Sequence, residues 1–100
     1  MAKNKNEATK RLFSAIASIQ TEKECEDFLE DLCTIKEIQD MAQRFDTALL
    51  LNRGKSYQKI AEETGVSTAT ISRVNRCLTY GTGGYRKALE RLGEKKNGNL

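Results

Sequence analysis

Residues 57–77 read YQKIAEETGVSTATISRVNRC, and their spacing is that of two short helices crossing at a steep angle. Ile60 and Ala61 come before Gly65-Val66, with Ile71 and Val74 after. Ala61 is small where the second helix passes over the first, so the two backbones can approach. Gly65 stands where the tight turn needs a residue free to adopt positive φ. Ile60, Val66, Ile71 and Val74 supply an apolar wedge between the helices. Ser67 is placed to N-cap the second helix by accepting a hydrogen bond from an orphan backbone N–H. The pattern is a helix-turn-helix over residues 57–79, with the recognition helix starting at Thr68.

The same spacing leaves Thr68, Ala69, Ser72 and Arg73 on the outer face of that helix, with Arg76 a turn further on. Hydroxyls and guanidinium groups can read base edges, and the methyls of Ala and Thr can meet a thymine methyl. Thr68, Ala69, Ser72 and Arg73 are therefore the expected base contacts. Gln58, Lys59 and Arg76 are the expected phosphate contacts, with Arg53 or Lys55 as further anchors. A plain αα-corner with a solvated outer face shares parts of this pattern. What favours the reading head is that the small, turn, cap and wedge residues all occur together.

The chain has 100 residues, enough for one domain with a modest core. Apolar residues make up 38% and charged residues 31%, with no proline or tryptophan, which favours an all-α protein. No window approaches the roughly 18 apolar residues of a membrane span, and the opening MAKNKNEATK is polar rather than signal-like. A cytoplasmic protein without membrane contact is expected. The three cysteines, Cys25, Cys33 and Cys77, lack metal-binding spacing, and there is no histidine, so no metal site is expected. Cys25 and Cys33 fall on the apolar side of one helix and read as buried reduced thiols.

Charge divides the chain. Residues 1–50 carry 7 basic and 10 acidic side chains, whereas residues 51–100 carry 10 and 4. The helix-turn-helix lies in the basic half, as a surface meeting phosphate requires.

About six helices follow from the apolar periodicity. Residues 1–6 read as a disordered tail, and Leu12, Phe13, Ile16 and Ile19 mark the first helix. Thr21-Glu22-Lys23-Glu24 is a capping box opening a second helix with Cys25, Phe28, Leu29, Leu32 and Cys33 on one face and acids on the other. Thr34-Ile35-Lys36-Glu37 repeats the box and opens the longest helix, to about Arg53, with Gly54 as its stop. Its stripe of Ile35, Ile38, Met41, Ala42, Phe45, Ala48 and Leu49, widened by Leu50 and Leu51, needs cover on more than one side. After Tyr80-Gly81-Thr82-Gly83-Gly84, residues Tyr85, Ala88, Leu89 and Leu92 mark a last helix ended by Gly93. Residues 94–100 read as a second disordered tail. A single domain over residues 7–93 has too much apolar surface for a monomer of this size. A homodimer is expected, interlocked through the N-terminal helices and the last helix. Its two recognition helices would reach successive major grooves of double-stranded DNA, about 34 Å apart.

The order of elements, the Thr34-to-Gly54 segment and the run GVSTATISRVNRCL together resemble the Trp repressor family. The likeness is strongest to its short YerC/YecD-type members and covers roughly residues 7–93. The resemblance implies an all-α intertwined dimer with a helix-turn-helix, acting as a repressor-like transcriptional regulator. It also implies an effector pocket between the long helix and the recognition helix, comprising Thr34, Arg44, Arg73, Val74 and Cys77. In that pocket the family places a glycine where this chain has Val74, and a serine where it has Cys77. Val74 adds three carbons to a tight slot, and a thiol hydrogen-bonds more weakly than a hydroxyl. L-tryptophan is therefore not the expected ligand. Either Val74 fills the pocket, with Arg44 a structural ion-pair partner, or the pocket serves another small effector. The alternative function is a protein–protein interaction or antitoxin-like module that keeps the helix-turn-helix shape and binds through the acidic face from Glu22 to Asp31. With no histidine, no phosphate-binding glycine loop and no cysteine beside a base, no catalytic residues and no enzyme activity are expected.

Overall fold

The computed structural model describes residues 2–95, with side chains from Asn6 onward. Its six helices are α1 (Ala2–Ala17), α2 (Glu22–Leu32), α3 (Ile35–Asn52), α4 (Tyr57–Thr64), α5 (Thr68–Tyr80) and α6 (Gly84–Arg91). The all-α expectation holds, and no strand occurs among the described residues. α1 begins at Ala2 and so runs through residues 2–6, which the composition alone had assigned to a tail. The C-terminal tail beyond residue 95 lies outside the described residues.

The chain divides into two compact units, Met1–Ile38 and Gln39–Leu100, with the boundary inside α3. In the first unit, both capping boxes form. Thr34 is fully reciprocal: its Oγ1 accepts from the Glu37 N–H at 3.0 Å, and its own N–H donates to Glu37 Oε1 at 2.8 Å. Thr21 Oγ1 likewise accepts from the Glu24 N–H at 3.0 Å, but Glu24 reaches one residue further back, to the Gln20 N–H at 2.8 Å. Each cap satisfies backbone donors that a helix start leaves orphaned. Cys25 and Cys33 are free and half-buried, short of the full burial that their spacing suggested. On α2, Lys23 Nζ sits 2.8 Å from Asp27 and 3.7 Å from Glu26, so one lysine partly offsets the acidic face.

Every buried apolar side chain among the described residues lies in the second unit: Ala48, Leu50, Ile60, Ile71, Val74, Leu78 and Leu89. Leu50, Ile60 and Ile71 form the centre, with Leu51, Ala61 and Val66 packed against it. Three of the four wedge residues expected from the sequence are thus buried, and Val66 flanks them. Complete burial of a side chain such as Ile60 or Ile71 contributes roughly 1.5–3 kcal/mol, so this cluster fixes α4 and α5 onto the end of α3.

The second unit also ties its own ends together. α3 stops at Gly54 (φ +82°), where the Lys55 N–H donates to Leu50 and the Gly54 N–H to Leu51. α6 stops the same way at Gly93 (φ +91°), through Glu94 to Leu89 and Gly93 to Glu90. Both are Schellman motifs, in which positive φ lets two N–H groups turn back onto orphan carbonyls. Residues just beyond Gly93 then meet α3. Asn52, buried, donates from Nδ2 to the Lys95 carbonyl at 3.0 Å. Arg53 grips Glu94 with two hydrogen bonds, Nε–Oε1 at 2.9 Å and Nη2–Oε2 at 2.8 Å. Glu94 and Lys95, expected in the tail, are held in place.

Candidate nucleic-acid interface and its adjoining pocket

The turn between α4 and α5 is built as its residues dictate. Gly65 takes φ +78°, and its N–H donates to the Ala61 carbonyl at 2.9 Å. Thr64 adds a support not evident in the sequence: its hydroxyl donates to the Ile60 carbonyl at 2.7 Å and accepts from the Val66 N–H at 3.2 Å. Ser67 caps α5, accepting from the Thr70 N–H at 3.1 Å. Ser56 caps α4 in the same manner, through the Lys59 N–H at 3.1 Å.

α5 has two clearly different sides. Ile71, Val74 and Leu78 are buried, whereas Thr68, Ala69, Ser72, Arg73 and Arg76 are exposed. Gln58 and Lys59 are exposed on the first turn of α4. The expected base- and phosphate-contacting residues therefore all reach solvent from a rigid pair of helices. Arg53 does not join them as a free anchor. Its guanidinium is engaged by Glu94, which raises its pKa mainly through the hydrogen bonds and then through the opposite charge.

Arg73 occupies the edge of this face that borders a cavity of about 450 Å³. Arg44, Gln43 and Asp40 line it from α3, Thr70, Arg73, Val74 and Cys77 from α5, and Val66 and Tyr85 from beside them. Four of the five expected effector-pocket residues meet here: Arg44, Arg73, Val74 and Cys77. Thr34 is instead occupied capping α3 in the first unit. Val74 is buried and forms part of the wall, and the cavity persists beside it. No ion pair of Arg44 or Arg73 occurs among the described residues, and both residues border the cavity. A second, more apolar hollow of about 510 Å³ lies along Phe45, Cys77, Gly81, Tyr85 and Ala88. Phe45 and Tyr85 stack in its wall with centroids 6.3 Å apart.

The sequence reading passed over two residues of this face. Asn75 of α5 donates from Nδ2 to the Tyr57 hydroxyl of α4 at 3.1 Å. Neither residue type forms part of a periodic pattern, so apolar spacing carried no signal for the pair.

An all-α chain whose second and third last helices form a capped helix-turn-helix, with a polar outer face and a basic rim, belongs to the helix-turn-helix class. More narrowly, the family model described as Trp repressor protein matches residues 7–93, and the chain belongs to that family. It is 54% identical over 84 residues to the uncharacterised protein YerC of Bacillus subtilis strain 168, covering 84% of this chain and 81% of that one. Among solved structures, a TrpR-like protein from Eubacterium eligens ATCC 27750 superposes with a TM-score of 0.84 at 50% identity, covering 96% of this chain and 100% of that one. A candidate Trp repressor from Staphylococcus aureus superposes with a TM-score of 0.83 at 42% identity, covering 90% of each chain. No helix among the described residues is long and apolar enough to cross a membrane.

Proposed function

We propose that this chain is a sequence-specific DNA-binding transcriptional regulator of the repressor type, acting as a homodimer. One observation carries the reading: α5 buries Ile71, Val74 and Leu78 while leaving Thr68, Ala69, Ser72, Arg73 and Arg76 free to enter a groove. Thr68, Ala69 and Ser72 contact base edges. Arg73 reaches the same face from its border with the pocket. Gln58, Lys59 and Arg76 hold phosphates, fixing register without selecting sequence. The cavity between α3 and α5 takes a small effector other than tryptophan, with Arg44 and Arg73 as its charged walls.

The test is selection of bound duplexes from a random library at two salt concentrations, with and without L-tryptophan. A palindromic site is expected, bound equally in both and more weakly at high salt, because phosphate contacts release counterions. Arg76→Ala should weaken binding to all duplexes alike. Thr68→Ala should relax preference at one base step, a discrimination worth about 1–3 kcal/mol per good base contact. Equal effects of both variants on specific and random duplex would refute these roles. A site that appears only with tryptophan would overturn the exclusion of that ligand. Absence of salt-sensitive binding in every condition would favour a protein-interaction module using the acidic face of α2.

A further inference from the structure

We infer that Asn75 and Tyr57 form a positioning latch that sets the rotation of the recognition helix, and hence its sequence discrimination. The inference rests on the DNA-binding reading above and assigns a role to two residues outside its contact set.

The apolar wedge holds α5 against α4. Contacts among Ile60, Ala61, Val66 and Ile71 are non-directional, so they limit the rotation of α5 less sharply than a directional hydrogen bond does. The rotational tolerance of a reading head is tight. A helix with its side chains is about 10–12 Å across, so turning it by about 20° carries a side-chain tip roughly 2 Å. That displacement exceeds what a hydrogen bond to a base edge survives.

Asn75 is well placed to remove this freedom. It lies two turns after Thr68 and one turn after Ser72, on the seam between the buried side of α5 and its outer face. Its Nδ2 donates across the helix pair to Tyr57 Oη at 3.1 Å, and the bond is directional. Asn75 is half-buried and Tyr57 is 37% exposed, so the link sits at the rim of the apolar wedge. Tyr57 is itself anchored, being the first residue of α4 immediately after the Ser56 cap. The opposite seam of α5, carrying Thr70 and Cys77, borders the cavity and holds no comparable cross-helix bond among the described residues. The latch therefore constrains the side of α5 that carries Thr68 and Ser72.

The experiment compares wild type, Tyr57→Phe, Asn75→Ala and the double variant as full chains. Each is measured for binding to the duplex selected by wild type and to a scrambled duplex, with thermal unfolding in parallel. Tyr57→Phe removes one oxygen at a half-exposed site and should leave the unfolding temperature within a few degrees. Its affinity for the selected duplex should fall about five- to tenfold, while affinity for the scrambled duplex stays unchanged. The double variant should lose no more than the worse single one, because both changes break the same bond. An unchanged ratio of selected to scrambled affinity overturns the latch. So does an equal loss on both duplexes, which marks a phosphate contact, or additive losses in the double variant. Wild type binding neither duplex refutes the DNA-binding reading itself, and the latch with it.

Discussion

At the scale of single residues, two glycines near the reading head show what a sequence can and cannot disclose. Gly65 was legible as the turn residue because it lies between two apolar runs, and it adopts φ +78°. A methyl group there would meet no atom within 4 Å, so Gly65→Ala carries only backbone strain, about 1–2 kcal/mol. Gly81 sits among three other small or flexible residues and gave no such signal. Its φ of −80° is open to any residue, yet an added Cβ would run into the Cys77 carbonyl to which its own N–H donates. Backbone must move to relieve that clash. Gly81→Ala is expected to lower the unfolding temperature more than Gly65→Ala, and calorimetry of the two variants checks the order. Ordering by φ alone gives the reverse.

At the scale of elements, helix existence and type were readable because apolar periodicity and caps agreed. The capping boxes at Thr21 and Thr34 and the stops at Gly54 and Gly93 fell where their residue types require. Side-chain links between distant elements were not readable. Asn75 with Tyr57, and Arg53 with Glu94, join residues 18 and 41 positions apart, and no local rule couples them. The second link gives a pH dependence. Hydrogen bonds from Arg53 hold Glu94 below its ordinary 4.5, against burial, with the guanidinium charge assisting. A carboxylate with a depressed folded value adds stability that is fully present above the unfolded value. That stability is lost as pH falls from about 4.5 through the depressed value. Glu94→Gln should therefore unfold at a lower temperature than wild type at pH 7, and the gap should close below the depressed value. Unfolding curves of both proteins at pH 7 and at successive pH values below 4.5 test this, and a gap that stays constant contradicts it.

At the scale of the whole molecule, the sequence already indicated more apolar surface than 100 residues can bury. The distribution of burial makes this concrete. Phe13 is 63% exposed and Ile35 76%, and Ile16 and Leu32 are about half exposed, while none of the described side chains of the first unit is buried. Exposed apolar residues on this scale support the proposed homodimer, since large apolar patches mark interaction sites. Phe13→Asp combined with Ile16→Asp is expected to convert the proposed homodimer to a monomer, or to abolish folding if the protomer has no stability alone. Sedimentation equilibrium with circular dichroism distinguishes these outcomes, and an unchanged folded dimer would place the interface elsewhere. What the sequence could not supply is the pocket's shape. Arg44, Arg73 and Cys77 were identifiable by resemblance, but whether Val74 sealed the space depended on backbone separation, which no residue pattern encodes.

Asn52 and Arg53 hold Lys95 and Glu94 across 43 and 41 positions, so α4, α5 and α6 form a loop stitched shut at its base. Fraying of such a loop from its C-terminal end is opposed, because that end is bonded to the helix from which the loop departs. Its amides are then expected to exchange with deuterated solvent as one cooperative block rather than in a gradient toward the terminus. The reading head would be intact or wholly open, with little population in between. Under the proposed function, such a protein would search DNA with a single, fully formed surface, and losing the stitch would let partly opened forms compete for the same sites.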